Sequence, residues 1–143
     1  MPRMRRFAGV LLAIPLTLAA VGAAAEVQRT AAPPGAKVYF IQPADGSTVP
    51  QTFTVKFGLE NMGVAPAGTD KPATGHHHLL IDRDLPPLDQ PMGGDIMHFG
   101  GGQTEAQVTL PPGTHTLQLL LGDMNHVPHD PPIYSDKITI TVQ

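Results

Sequence analysis

The stretch TFTVKFGLEN, residues 52 to 61, alternates apolar and polar side chains with a period of two. Only an extended strand puts Phe53, Val55, Phe57 and Leu59 on one face and Thr54, Lys56 and Glu60 on the other. The same kind of run recurs along the chain: KVYFIQP (37–43), HHHLLID (76–82), TEAQVTL (104–110), THTLQLLLGD (114–123) and DKITITV (136–142). Each is short and bounded by turns rich in glycine, proline or aspartate, and no stretch after residue 25 keeps a 3.6-residue apolar period. The pattern predicts an all-β protein, an immunoglobulin-like antiparallel β-sandwich of about seven strands. In that scheme 37–43 is strand A, 52–61 strand B and 76–82 strand C. A vestigial strand D falls at His98-Phe99, 104–110 is strand E, 114–123 strand F and 136–142 strand G. A long, mostly irregular loop, 84–102, separates strands C and E.

Three segments follow from composition. Arg3, Arg5 and Arg6 precede an apolar run from Phe7 to Val21 and the small residues Ala23-Ala24-Ala25. That is the pattern of a secretory signal peptide, predicted over 1–25, with a mature chain beginning at Glu26 in the periplasm or outside the cell. The apolar run is too short for a stable membrane span. The chain has no cysteine, hence no lipid-anchored cysteine, disulfide or thiolate site, and no stable membrane anchor is expected after cleavage. EVQRTAAPPGA (26–36) reads as a flexible leader. The remaining residues, 37–143, have the length of a single sandwich domain. After residue 25, six Lys and Arg face twelve Asp and Glu, a net charge of −6 with the histidines neutral. No basic stripe is present, which argues against nucleic acid as a partner.

Seven histidines stand in this sequence, and the sandwich places six of them at one end. His76, His77 and His78 follow the B–C loop, His98 precedes the D–E turn, and His126 and His129 lie in the F–G loop. On a strand, His76 and His78 share a face about 7 Å apart while His77 points oppositely, with Leu79 and Ile81. Two imidazoles so spaced can bind one metal ion, with a third ligand from His98, His126 or His129. His77, Met97, Met124 and Asp82 form a second tier. Imidazole suits copper and zinc, and the thioethers of Met62, Met92, Met97 and Met124 suit Cu(I), so copper leads and zinc follows. Asp82, Asp84, Asp89, Asp95, Asp123, Asn125 and Asp130 are the oxygen donors calcium prefers, but their spacing matches no calcium loop. A second reading makes the histidines a hydrogen-bonded loop network with Asp82, Asp123 and Asp130. The protein would then be a structural or interaction module of the cell envelope, meeting an unidentified periplasmic partner through its G-strand edge or its loop end.

Two further features depend on strand phase. With Leu117, Leu119 and Leu121 facing the core, Leu120 faces outward, beside Leu80. Loop 84–102, carrying Leu88, Met92, Ile96 and Met97, is expected to fold over that face and bring His98 toward His76 and His78. His115, in PPGTHTLQL, occupies the position at which many sandwiches put the tyrosine that bonds back to the corner before strand F, so it is assigned a structural role at the far end.

The blocks VYFIQPADGSTV, KFGLENMGVAPAGT, TGHHHLLID, HFGGGQTE, LPPGTHTLQLLLGD and NHVPHDPP resemble the bacterial exported family catalogued as domain of unknown function 4399, over about residues 38–142. The resemblance implies an exported single-domain protein and brings no catalytic assignment. The turn PADGSTV is also similar to the start of periplasmic copper-resistance sandwiches of the CopC type. Those proteins use a histidine at the mature N-terminus, which Glu26 does not supply, so their ligands do not transfer. Hydrolase motifs are missing: there is no nucleophile-elbow serine, no cysteine and no helical two-histidine zinc motif. The sequence favours a binding protein over an enzyme.

Overall fold

The computed structural model describes Gly22 and residues 25–143. The expected signal segment otherwise lies outside the described residues. Nine strands are present among them: β1 (Lys37–Gln42), β2 (Thr48–Val49), β3 (Thr52–Glu60), β4 (Gly63–Val64), β5 (Thr74–Ile81), β6 (Met97–His98), β7 (Glu105–Thr109), β8 (Gly113–Gly122) and β9 (Ile138–Val142). They form a three-stranded sheet, β1-β3-β7, and a six-stranded sheet, β2-β9-β8-β5-β4, with β6 added beside β5. Strands A, B and E are therefore β1, β3 and β7, and strands C, F and G are β5, β8 and β9. This is the strand partition of an immunoglobulin-like sandwich.

Three details differ from the sequence expectation. The pairings are not all antiparallel, because β2 runs parallel to β9 and β4 parallel to β5. Since β2 pairs Thr48 with Thr141 and Val49 with Val142, strand G has no free edge there for a partner. The short strand expected as D is β6, and it joins the other sheet, pairing His98 with His78 and Met97 with Leu79.

The reason lies in the faces of β5 and β8. Their inward side chains, Leu79, Leu117, Leu119 and Leu121, pack with Phe53, Val55 and Phe57 of β3 in the main core. Their outward leucines, Leu80 and Leu120, form a second apolar cluster with Met92 and Ile96, flanked by Leu85 and Leu88. Loop 84–102 thus covers the outer face of β5 and β8, as expected from the two unpartnered leucines, and draws β6 to the edge of that sheet. Leu80 and Leu120 are 1% and 0% exposed, so each contributes about 1.5–3 kcal/mol of burial. Met97, grouped with the covering residues from sequence, stays 43% exposed.

Part of the supposed leader is tied down. Thr30 and Ala32 exchange backbone hydrogen bonds with Asp130, Thr30 Oγ1 donates to Asp123 Oδ2 at 2.7 Å, and the Arg29 guanidinium donates to the Pro128 and His129 carbonyls. Small residues and proline suggest a loose linker by composition, but these backbone groups have partners on the F–G loop.

At the opposite end, the His115 corner forms as assigned. Its Nε2 donates to the Pro111 carbonyl at 2.9 Å, and its Nδ1 donates to Asp82 Oδ2 at 2.6 Å. The other Asp82 oxygen accepts the Thr116 amide at 2.8 Å. The bond to Asp82, with that to Pro111, raises the His115 pKa. Burial, the largest single influence on Asp82, pushes its pKa up, but the Thr116 and His115 bonds and the His115 charge together outweigh it and hold Asp82 below its usual value. The stabilisation from His115 is complete below its unfolded value of 6.5 and disappears as pH rises through the raised folded value. The stabilisation from Asp82 is complete above its unfolded 3.8 and disappears as pH falls through the lowered folded value. A His115→Phe variant should therefore lose about 1 kcal/mol relative to the parent between these two limits, and the gap should close at alkaline pH; urea unfolding across pH measures it, and a gap constant up to alkaline pH would contradict the assignment.

Candidate metal centre

On β5, His76 and His78 point to the same outer face as Leu80, beneath loop 84–102, and His77 points inward. The register settles this phase, because His76 stands opposite Gly122 and His78 opposite Leu120, whereas His77 stands opposite Leu121 of the main core. Leu79-Leu80-Ile81 is apolar on both faces, so the sequence period alone leaves the phase open. All three imidazoles are essentially buried, at 0%, 0% and 1% exposure.

His126 reaches the same point from the F–G loop. Asp123 folds that turn: its Oδ1 accepts the amides of Asn125 and Val127 at 2.9 and 3.0 Å, and its carbonyl accepts the His126 amide at 2.9 Å. The His126 carbonyl in turn accepts the Met92 amide at 2.9 Å. The turn holds His126 at φ +63°, a left-handed conformation uncommon for a residue with a β-carbon. Strain of this kind survives where the surroundings enforce it, and it concentrates at functional sites.

The result is a three-nitrogen cluster. His126 Nδ1 lies 3.0 Å from His76 Nε2 and 3.4 Å from His78 Nε2. One nitrogen from each ring falls within 4.8 Å of the others, close enough to hold a single metal ion. Ligands at 2.0–2.1 Å from a tetrahedral ion stand about 3.3 Å apart, so two of the three spacings already match. A hydrogen-bond network fits less well. A single ring nitrogen brings at most one proton, so His126 Nδ1 cannot give both Nε2 atoms a full hydrogen bond. The far nitrogens, Nδ1 of His76 and of His78, are buried without a partner. Either tautomer thus leaves buried polar nitrogens unmet, at about 1–3 kcal/mol each.

Electrostatics keep these rings ready to bind a cation. The His76 pKa is pushed down to about 4, chiefly by burial and then by His126 and His98. That of His78 falls to about 3, through burial and then His76 and His126. Neutral imidazoles offer lone pairs, and an ion entering near neutral pH displaces no proton from these two.

Glycine makes the space. A β-carbon at Gly122 would lie 2.6 Å from His78 Cε1 and 2.9 Å from Met92 Cε. A β-carbon at Gly75 would lie 2.8 Å from both the Gly122 carbonyl and His129 Cε1.

The other sequence candidates are distributed around this centre. His98 pairs with His78 across β5–β6, and its ring centroid lies 5.2 Å from that of His126, 6.0 Å from His78 and 6.4 Å from His76. It is exposed and lines a surface opening with His78, Met92, Gly93, Gly94 and His126. His129 is buried beside the cluster but donates Nε2 to the Thr74 carbonyl at 3.2 Å. Burial holds its pKa below the ordinary value. His77 stacks on Phe57, ring centroids 4.7 Å apart. Neither of its nitrogens has a partner, and burial, with His76 next, pushes its pKa down to about 4. Met97 is on the exposed edge, and Met124 is half-buried in the turn, its carbonyl bonded to the Gly68 amide. Asp82 is committed to His115 and Thr116 at the other end of β5. The carboxylates weighed for calcium pair separately, Asp84 with Lys137, Asp95 with Arg83 and Asp130 with Arg29. Among the described residues the only group of three or more histidine, aspartate or glutamate side chains close enough to hold an ion together is the histidine triad. Met92, which the sequence offers as a thioether suited to Cu(I) and as a covering residue, also stands at the site. The expected cover by loop 84–102 brings it to the outer face of β5 and β8, and it lines the opening beside His78 and His126.

Fold and site together define an all-β sandwich protein with a buried triad of histidines able to hold a metal ion. The chain belongs to the family described as Domain of unknown function (DUF4399), whose model matches residues 55–143. That span contains all seven histidines. No curated protein matches the chain. Among solved structures, the endo-beta-1,4-mannanase from Thermotoga petrophila is similar over 76% of this chain, at 18% identity and a TM-score of 0.45. This chain spans 20% of the length of that one.

Three histidines with such depressed values make the metal-free protein sensitive to acid. The unfolded chain takes up their protons below 6.5, whereas the folded chain resists until about 4 at His76 and His77 and about 3 at His78. The stability they permit is complete above 6.5 and falls as pH drops, by about 1.4 kcal/mol per pH unit for each ring. Unfolding in urea with a chelator present should show this decline between pH 6.5 and 4, and a flat profile there would contradict the burial described.

Proposed function

We propose that this protein is an exported metal-binding domain that holds a transition-metal ion, copper ahead of zinc, through His76, His78 and His126, with His98 as a fourth ring at the surface opening. The observation that carries the reading is the meeting of three ring nitrogens, two from buried histidines and one from the part-buried His126, 3.0 and 3.4 Å apart across His126, where the single His126 Nδ1 can make a full hydrogen bond to only one of its two neighbours. An all-imidazole donor set suits copper and zinc over calcium or magnesium. Export is supported by the arginines, apolar run and small residues of 1–25. The proposed unit is one domain after Glu26, and its role is binding rather than catalysis, since no nucleophile or general-base motif accompanies the histidines.

The competing reading, a structural or interaction module, has one observation in its favour: His129 and His115 are bonded to carbonyls, as structural histidines are. A calorimetric titration of the tag-free protein with Cu(II) and Zn(II), against a competing chelator, separates the two. One ion per chain, bound more tightly than micromolar and lost in a His76→Ala/His78→Ala variant, is the expected result. Bound metal should also raise the unfolding temperature of the parent and not of the variant. Weak binding of several ions, or equal binding by parent and variant, would leave the structural reading. Fractionation of expressing bacteria checks export: the processed chain should be periplasmic or secreted and begin at Glu26.

A further inference from the structure

Met92 sits where the apolar cluster over Leu80 and Leu120 meets the histidines. It belongs to that cluster, and it also lines the opening shared by His78, His98 and His126. Two contacts tie it to the triad. Its amide donates to the His126 carbonyl at 2.9 Å, so its backbone moves with that ligand. Its terminal methyl and the Cε1 edge of His78 both close on the bare face of Gly122, within 2.9 and 2.6 Å of the position a β-carbon would take. The side chain is 9% exposed, which keeps the thioether out of bulk water. Leucine would serve the apolar cluster equally well. What methionine adds at this position is a soft, polarisable thioether in the lining shared with His78, His98 and His126.

Resting on the metal-binding reading above, we propose that Met92 is an additional ligand, recruited for the cuprous ion, so that the triad holds Zn(II) or Cu(II) through nitrogen alone and Cu(I) through nitrogen and thioether sulfur. Thioether sulfur binds Cu(I) well and competes poorly for Zn(II). The site would then retain copper in its reduced state, with the exposed His98 at the opening where an ion enters or leaves.

The test compares the full-length processed protein with Met92→Leu, a swap of nearly equal volume that preserves the apolar contacts. Affinity for Cu(I) is measured anaerobically against bicinchoninate, and affinity for Zn(II) against a chromophoric chelator. The expected result is a loss of at least tenfold in Cu(I) affinity, Zn(II) affinity within about twofold of the parent, and an unchanged unfolding midpoint for the metal-free forms. Unchanged Cu(I) affinity would overturn the role of Met92 while leaving the histidine site intact. Equal losses for both metals would also overturn it, since that is the mark of a packing residue. Failure of the parent to bind either ion would remove the metal-binding reading, and the ligand role with it.

Discussion

The covering of Leu80 and Leu120 by loop 84–102 is the contact on which the rest of the site depends. Most sandwiches leave the outer faces of their sheets to water. Here β5 and β8 are buried on both faces, because Met92 and Ile96 pack on the outer leucines with Leu85 and Leu88 around them. One consequence is topological: the chain after Ile96 arrives beside β5 and pairs there as β6. The other is electrostatic. His76 and His78 share the outer face with Leu80, so the same cover that buries the leucines removes the imidazoles from water.

That dryness sets the chemistry. Burial is the largest cause of the depressed pKa values of His76 and His78, and it keeps both rings neutral. The F–G loop then supplies the third nitrogen at some expense in backbone strain at His126. Its turn is held by Asp123, whose second oxygen is held by Thr30. The segment just after the expected cleavage point is therefore connected to the site through two hydrogen bonds. A chain selected for stability alone would gain by placing apolar residues at positions 76 and 78, given their unmet nitrogens. On the proposed reading, histidine is needed there because an ion would bind the Nε2 atoms that converge on His126.

Much of the fold was legible because it rests on period-two alternation. Phe53, Val55 and Phe57 of β3, and Leu117, Leu119 and Leu121 of β8, face the core as their spacing requires. The outward pair Leu80 and Leu120 signalled a cover, and the composition of 84–102 identified it. His115 was recognisable from the turn that precedes it. What stayed hidden depends on long-range geometry. The phase of β5 could not be read through a run apolar on both faces. The sheet chosen by β6 follows from the cover and not from His98-Phe99 themselves. Small residues and proline made 26–36 resemble a tether, although the backbone of Thr30 and Ala32 bonds to Asp130, on a loop about a hundred residues away. At the site, convergence of the histidines at one end was foreseeable. The selection of His126 over His129 was not, because it turns on a left-handed residue in a turn organised by Asp123.

Long-range proton–nitrogen NMR of the histidine rings, recorded with and without one equivalent of Zn(II), tests the central claim most directly. The account predicts that the Nε2 resonances of His76 and His78 and the Nδ1 resonance of His126 move to the positions of metal-bound nitrogen, while His77, His115 and His129 keep their chemical shifts. Unchanged rings at His76, His78 and His126, or metal-dependent shifts confined to His115 or His129, would contradict it.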